Sequence, residues 1–225
     1  DFCGTGATAC AWAASAAGRV SVGLDMDAAP IVWGMQNNRG KLPDEVRDRV
    51  TFVQADVRRP PPNVPRADVV AAWNFSWCGF QTREELKAYF ASCRHGLAPG
   101  GIFTVDIYGG PEAQVAGEDV TDYGAFTYIW DQELIDPVSG RVVCHIHFDL
   151  PDGSRMEKAF SYDWRLWTVP EVRELLLEAG FSQVDVWWEG AELDEDGDPV
   201  GNGCFERVKT VENEQAWVAF IAGKA

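Results

Sequence analysis

Asp1-Phe2-Cys3-Gly4-Thr5-Gly6-Ala7 opens the chain and decides its fold. A short extended stretch runs into a turn holding two glycines, and residues 7–17 that follow are alanine-rich around Trp12, a helix signal that Gly18 closes. Glycines at such a turn let the backbone approach a ligand that any side chain would push away. The helix behind it starts with unpaired N–H groups. Together these features specify a site for a nucleotide-like cofactor. A strand needs about five residues and almost none precede this turn. The expectation is therefore that the chain begins partway through its first strand, as an N-terminally truncated fragment.

The rhythm continues as strand and helix in alternation. Val20 to Leu24 is a short apolar strand ending at Asp25; Asp27, ahead of Ala28-Ala29-Pro30, reads first as the N-cap of a second helix rather than as a ligand. Val50 to Val53 leads to Asp56, and Asp68 to Ala72 leads to Trp73-Asn74-Phe75-Ser76-Trp77. Thr82 and Glu85 form a capping box, and Leu97-Ala98-Pro99-Gly100-Gly101 turns into the strand Ile102 to Ile107. From residue 124 the pattern changes to strands joined by the turns Asp136-Pro137-Val138-Ser139-Gly140 and Pro151-Asp152-Gly153-Ser154. Thr168 to Gly180 is again a helix, Val184 to Trp188 and Ala216 to Ala222 finish the sheet, and Glu192 to Gly203 reads as an acidic surface loop. The fold class is thus α/β: a single domain over residues 1–225, a doubly wound Rossmann-like sheet, mostly parallel with an antiparallel last strand. An antiparallel β meander is inserted at residues 124–165.

Composition narrows the partners. Nineteen Lys and Arg against 35 Asp and Glu give a formal charge of -16, which repels nucleic acid and anionic membranes. The six cysteines include no C-x-x-C pair, so they read as reduced thiols of a cytoplasmic protein, and no metal site is expected. No apolar run is long enough to cross a bilayer. Oligomeric state is left open.

Cys3-Gly4-Thr5-Gly6, Leu24-Asp25-Met26, Gln54-Ala55-Asp56-Val57 and Leu97-Ala98-Pro99-Gly100-Gly101, in this order, resemble the motifs of class I methyltransferases that use S-adenosylmethionine. The resemblance spans essentially the whole chain, extends to Trp167-Thr168 and the helix after it, and in the meander is similar to a bacterial branch that implies no particular acceptor. It implies S-adenosylmethionine as cofactor, held by Cys3, Gly4, Thr5, Gly6, Asp25, Met26, Asp56, Val57, Asn74 and Phe75. Asp25 would accept both ribose hydroxyls, Met26 would cover adenine, and Asp56 would meet its amino group. Many family members place an acidic residue one position upstream of Asp1, so Asp1 is either its substitute as a cofactor contact or a neighbour of it. Gly4-x-Gly6-x-x-Ala9 followed by Asp25 also satisfies a dinucleotide fingerprint, and a nicotinamide oxidoreductase is the alternative; so is a methyltransferase-like scaffold without turnover. The Cys-Gly-Thr-Gly form of the loop and the Pro-Gly-Gly turn favour the methyltransferase.

The acceptor is expected to be a small molecule, with the meander as its lid. His145 and His147 fall on one face of a strand with Asp149, opposite Cys144, Ile146 and Phe148. That polar face is either solvated or a substrate wall. If the acceptor needs a base, the candidates are His145, His147 and Tyr162, in that order. Trp77, Tyr108, Arg165 and Trp167 are the candidate substrate contacts. Arg165 either binds an anionic group or closes a structural ion pair, and Trp77 is either core or an aromatic face for the sulfonium.

Overall fold

The computed structural model describes residues 1–193 and 199–225. In chain order its elements are α1 (Ala7–Ser15), β1 (Ser21–Asp25), α2 (Ala28–Asn37), α3 (Asp44–Arg47), β2 (Val50–Gln54), β3 (Ala67–Ala72), α4 (Arg83–Gly96), β4 (Leu97–Gly109), β5 (Gly117–Asp122), β6 (Thr127–Asp136), β7 (Arg141–Asp149), β8 (Arg155–Arg165), α5 (Val169–Glu178), β9 (Gln183–Leu193), β10 (Pro199–Val208) and β11 (Trp217–Lys224). The expected helix starts hold. Asp27 accepts the Ala29 N–H at 2.9 Å, and both α4 and α5 begin in capping boxes, Thr82 with Glu85 and Thr168 with Glu171.

Parallel β1 and β2 form one ladder, and the order β10-β9-β11-β4-β3 forms another, in which β3 and β4 are parallel and β11 runs antiparallel to both its neighbours. Asp1–Cys3 bridges the two ladders. The Asp1 amino group donates to the Ala71 carbonyl at 2.8 Å and the Cys3 N–H to the Leu24 carbonyl at 2.9 Å. Beyond that bridge a groove of about 1500 Å³ runs between Ser21–Leu24 on one wall and Ala67–Ala71 on the other. The main core fills the face of the larger sheet under α4 and α5, with Leu86, Tyr89, Phe90, Phe103, Leu175 and Leu176 fully buried.

The inserted meander is larger than the sequence indicates. It has four strands, β5-β6-β7-β8, and starts at Gly117 rather than residue 124. β5, Gly-Glu-Asp-Val-Thr-Asp, is exposed throughout, so it lacks the apolar alternation by which an edge strand is recognised. The segment read as the loop Glu192 to Gly203 is also corrected: β9 extends to Leu193 and β10 begins at Pro199, paired antiparallel, while residues 194–198 lie outside the described residues. No helix among the described residues is long and apolar enough to cross a membrane.

Candidate active site

The glycine turn is built from both ends. Gly4 and Gly6 have φ of +50° and +68°, in the left-handed region that L side chains avoid. A Cβ at Gly6 would lie 2.0 Å from the Phe52 ring, whereas one at Gly4 would project into open space. Gly6 is thus required by packing, and Gly4 leaves the face of the turn clear. Two residues that the sequence gives no reason to single out fix the turn from α2. A Cβ at Gly34 would come within 2.0 Å of the Thr5 carbonyl oxygen, and the Asn38 side-chain amide donates to that same oxygen at 2.9 Å. Burial and the nearby Asp25 push the Cys3 thiol up to about 11, so it is a neutral spacer and not a nucleophile.

Asp25 stands at the carboxyl end of β1 and locks the turn to the sheet. Its Oδ2 accepts the Gly4 N–H at 2.7 Å and its Oδ1 accepts the Asp27 N–H at 3.0 Å. Each carboxylate oxygen keeps a lone pair for a further donor, so the two ribose hydroxyls of an adenosine fit this residue. Met26, next along, is 62% exposed. Asp56 pairs with Arg58 through contacts of 3.0 and 2.7 Å, and that guanidinium holds its carboxyl below the usual range. The Val57 side chain is buried, so only its backbone can face a ligand. The Asp1 carboxylate accepts the Tyr89 hydroxyl at 2.8 Å, which ties the start of the chain to α4 and gives this residue a structural partner.

At the end of β3, Asn74 and Phe75 both take left-handed backbone, φ 62° and 55°. The strain is held by Asp106 on β4, whose carboxylate accepts the Asn74 N–H at 2.5 Å and the Phe75 N–H at 3.0 Å. Nothing in the sequence marks this aspartate. Burial raises its pKa to about 6 from an ordinary 3.8, with the two N–H groups opposing the shift. Between those two values the folded chain holds a proton that the unfolded chain has released, so stability falls as pH rises from about 4 to 6. At about 1.4 kcal/mol per pKa unit the loss approaches ~3 kcal/mol. Denaturant unfolding at pH 4, 5, 6 and 7 is expected to show this decline relative to Asp106→Asn, and parallel pH curves for the two proteins would refute it.

Phe75 packs edge-on against Tyr108 with centroids 4.9 Å apart, and Trp164 lies 6.4 Å from Phe75. Tyr162 covers Trp164 at 4.4 Å, with Trp130 beside them at 6.0 Å from Tyr162. The meander thereby places an aromatic wall over the ends of β3 and β4. The Tyr108 hydroxyl within it is buried and has no hydrogen-bond partner among the described residues.

The histidines are elsewhere. Cys144 pairs with Tyr162 and Gln132, and Ile146 with Trp130, so this even-numbered face of β7 is the one turned to the body. Alternation puts His145 and His147 on the opposite face, away from the strand ends. They are not solvated either, at 6% and 3% exposure. His145 bridges Ser161 at 2.8 Å and Glu133 at 2.7 Å, while His147 Nδ1 accepts the Lys158 N–H at 3.1 Å and its Nε2 faces Asp131 at 3.4 Å. Their reading as bases is therefore corrected to one of bracing the meander. His145→Gln and His147→Gln should each lower the melting temperature, by the equivalent of about 1–2 kcal/mol for a broken buried polar contact, with cofactor affinity unchanged by calorimetry.

Two substrate candidates also take structural roles. Arg165 donates to Glu171 at 2.8 Å and lies 3.8 Å over the Trp167 ring, which settles it as an ion pair on the α5 capping box. Trp77 is fully buried, its indole N–H on the Asp106 carbonyl at 2.8 Å, and so is core. Trp167 is 2% exposed and donates to the Phe80 carbonyl at 3.1 Å, yet it borders a cavity of about 740 Å³ together with Tyr108.

Residues 2–101, which hold the turn, Asp25, Asp56 and Asn74, match the family described as methyltransferase domain. That match likens the N-terminal part of the chain, residues 2–101, to a methyltransferase domain. Solved structures extend the likeness to the rest of the chain. The CcbJ methyltransferase of Streptomyces caelestis shares 17% identity, with 99% of this chain and 86% of that one covered at a TM-score of 0.70. An S-adenosylmethionine-dependent methyltransferase of Clostridium acetobutylicum ATCC 824 shares 16%, covering 99% and 81% at 0.68. CalS10, an amino pentose methyltransferase of Micromonospora echinaspora solved with the cofactor bound, shares 18%, covering 100% and 81% at 0.63. At these identities the likeness is one of fold, and it bears out the expected Rossmann-like methyltransferase architecture. Comparison with curated proteins finds no match.

Proposed function

We propose that this methyltransferase domain moves the methyl group of S-adenosylmethionine to a small-molecule acceptor by in-line displacement. The observation that carries the reading is the Gly4 N–H seated on Asp25, with clear space over Gly4. Bound S-adenosylmethionine supplies a methyl group already activated on a positively charged sulfur. The chain's own task is then positional. Asp25 would take the ribose hydroxyls, the Gly4–Gly6 backbone would hold the methionine part, and exposed Met26 would cover adenine. Asp106 holds the Asn74–Phe75 backbone, so that the Phe75 ring and its neighbours stand as an aromatic face that favours a cation and excludes water. Holding two reactants in line can replace a large effective concentration.

Burial raises the Tyr162 pKa, so this residue stays protonated at neutral pH and acts as a donor rather than a base. With the histidines on the far face, the acceptor must arrive with a free lone pair: a neutral amine, a thiolate or an oxyanion. A panel of small amines, thiols, phenols and carboxylates incubated with methyl-labelled cofactor tests this. Labelled product from at least one class is expected. No transfer to any class, with cofactor binding intact, would instead favour a binding domain without turnover.

A further inference from the structure

The 740 Å³ cavity lies where the first turn of α5, β9, the end of β10 and the start of β11 meet the carboxyl end of β4. Its walls combine two kinds of side chain. Trp188 and Trp217 lie against one another with centroids 4.5 Å apart, and Trp167 and Tyr108 complete an aromatic lining. Arg173, Arg207 and Lys209 also line it, against a single acid among the described residues, Asp185. That acid is already matched, accepting from Arg207 at 2.5 Å and from the Gln183 amide at 2.6 Å. Among the described residues Arg173 and Lys209 make no ion pair.

In a chain of formal charge -16, a cavity with three cations and one neutralised acid is a local reversal of sign. An anion is favoured here over a cation. A flat ring gains from the indoles, and a carboxylate or phosphate from Arg173 and Lys209. The cavity also reaches the reaction centre, because Tyr108 forms part of its wall and its ring touches Phe75 at the end of β3. A cavity of this volume suits one small molecule.

We infer that this cavity is the acceptor pocket and that it selects a ring-bearing acceptor carrying an anionic group. This rests on the methyltransferase reading for its role, though not for its binding preference. The test uses matched probes by calorimetry: 2-naphthylacetate and 2-naphthyl phosphate as anions, and 2-naphthylethylamine as the cation with the same ring. Both anions should bind about tenfold or more tighter than the amine. The exposed pair of substitutions Arg173→Glu and Lys209→Glu should abolish or reverse that preference. If only the phosphate gains, the recognised group is a phosphate; if both gain, a general anion. Equal affinity of anions and amine, or a preference unchanged in the double variant, would overturn the inference. S-adenosylmethionine is titrated into the same samples. Its failure to bind would strike the proposed reaction and leave the anion preference to stand on its own data.

Discussion

Asp25→Ala is expected to weaken S-adenosylmethionine binding by about 30- to 150-fold. The estimate takes two hydrogen bonds from ribose hydroxyls to a carboxylate, together contributing about 2–3 kcal/mol, with tenfold in affinity for each ~1.4 kcal/mol. Part of the effect is indirect, since the same carboxylate accepts the Gly4 and Asp27 N–H groups, and the alanine leaves the turn without its anchor to β1. The two contributions separate by comparing S-adenosylhomocysteine with its 2′-deoxyribose analogue. The wild type should prefer the ribose compound, and Asp25→Ala should not distinguish them. A variant that binds both weakly yet still discriminates would assign Asp25 to bracing the turn alone. Asp25→Asn is not expected to rescue, because one backbone N–H would then face the amide nitrogen instead of an oxygen.

Gly34→Ala carries the second large effect. In an exposed helix interior this change is favourable by about 0.8–1 kcal/mol. Here the added methyl would lie 2.0 Å from the Thr5 carbonyl oxygen, a backbone atom with no freedom to turn aside. Either α2 shifts outward or the Gly4–Gly6 turn moves, at a cost of about 2–3 kcal/mol typical of overpacking. The expected result is a lower denaturation midpoint together with loss of cofactor affinity, because the displaced element is the turn itself. Gly96→Ala, where the new methyl meets nothing within 4 Å, provides the contrast and should leave both unchanged or slightly improve stability. Equal stability of Gly34→Ala and wild type would mean that α2 does not set the turn.

What the sequence makes legible is what is written locally. The glycine turn, Asp25 at the end of its strand, Asp27 as an N-cap, the Thr82–Glu85 capping box and the helix start at Thr168 each depend on residues within a few positions, and all take the expected form. Gly34 is silent because its reason lies at Thr5, across the fold. Asp106 is silent for the same cause: an acidic residue in an apolar strand becomes meaningful only once Asn74 and Phe75 need an acceptor. Alternation correctly separates His145 and His147 from Cys144, but which face meets the body is decided by packing against Phe75, Tyr108 and Trp164. Bulges in β6 and β8 opposite β7 add a further shift that no periodicity reveals. Exposed β5 and glycine-bearing β10 carry too little apolar pattern to be read as strands.

The turn at Gly4–Gly6 with Asp25 is proposed to hold S-adenosylmethionine and not a nicotinamide. Isothermal titration of the protein with S-adenosylmethionine and, separately, with NADH tests it most directly. Saturable one-to-one binding of S-adenosylmethionine with no measurable binding of NADH is the predicted result; selective binding of NADH would contradict it.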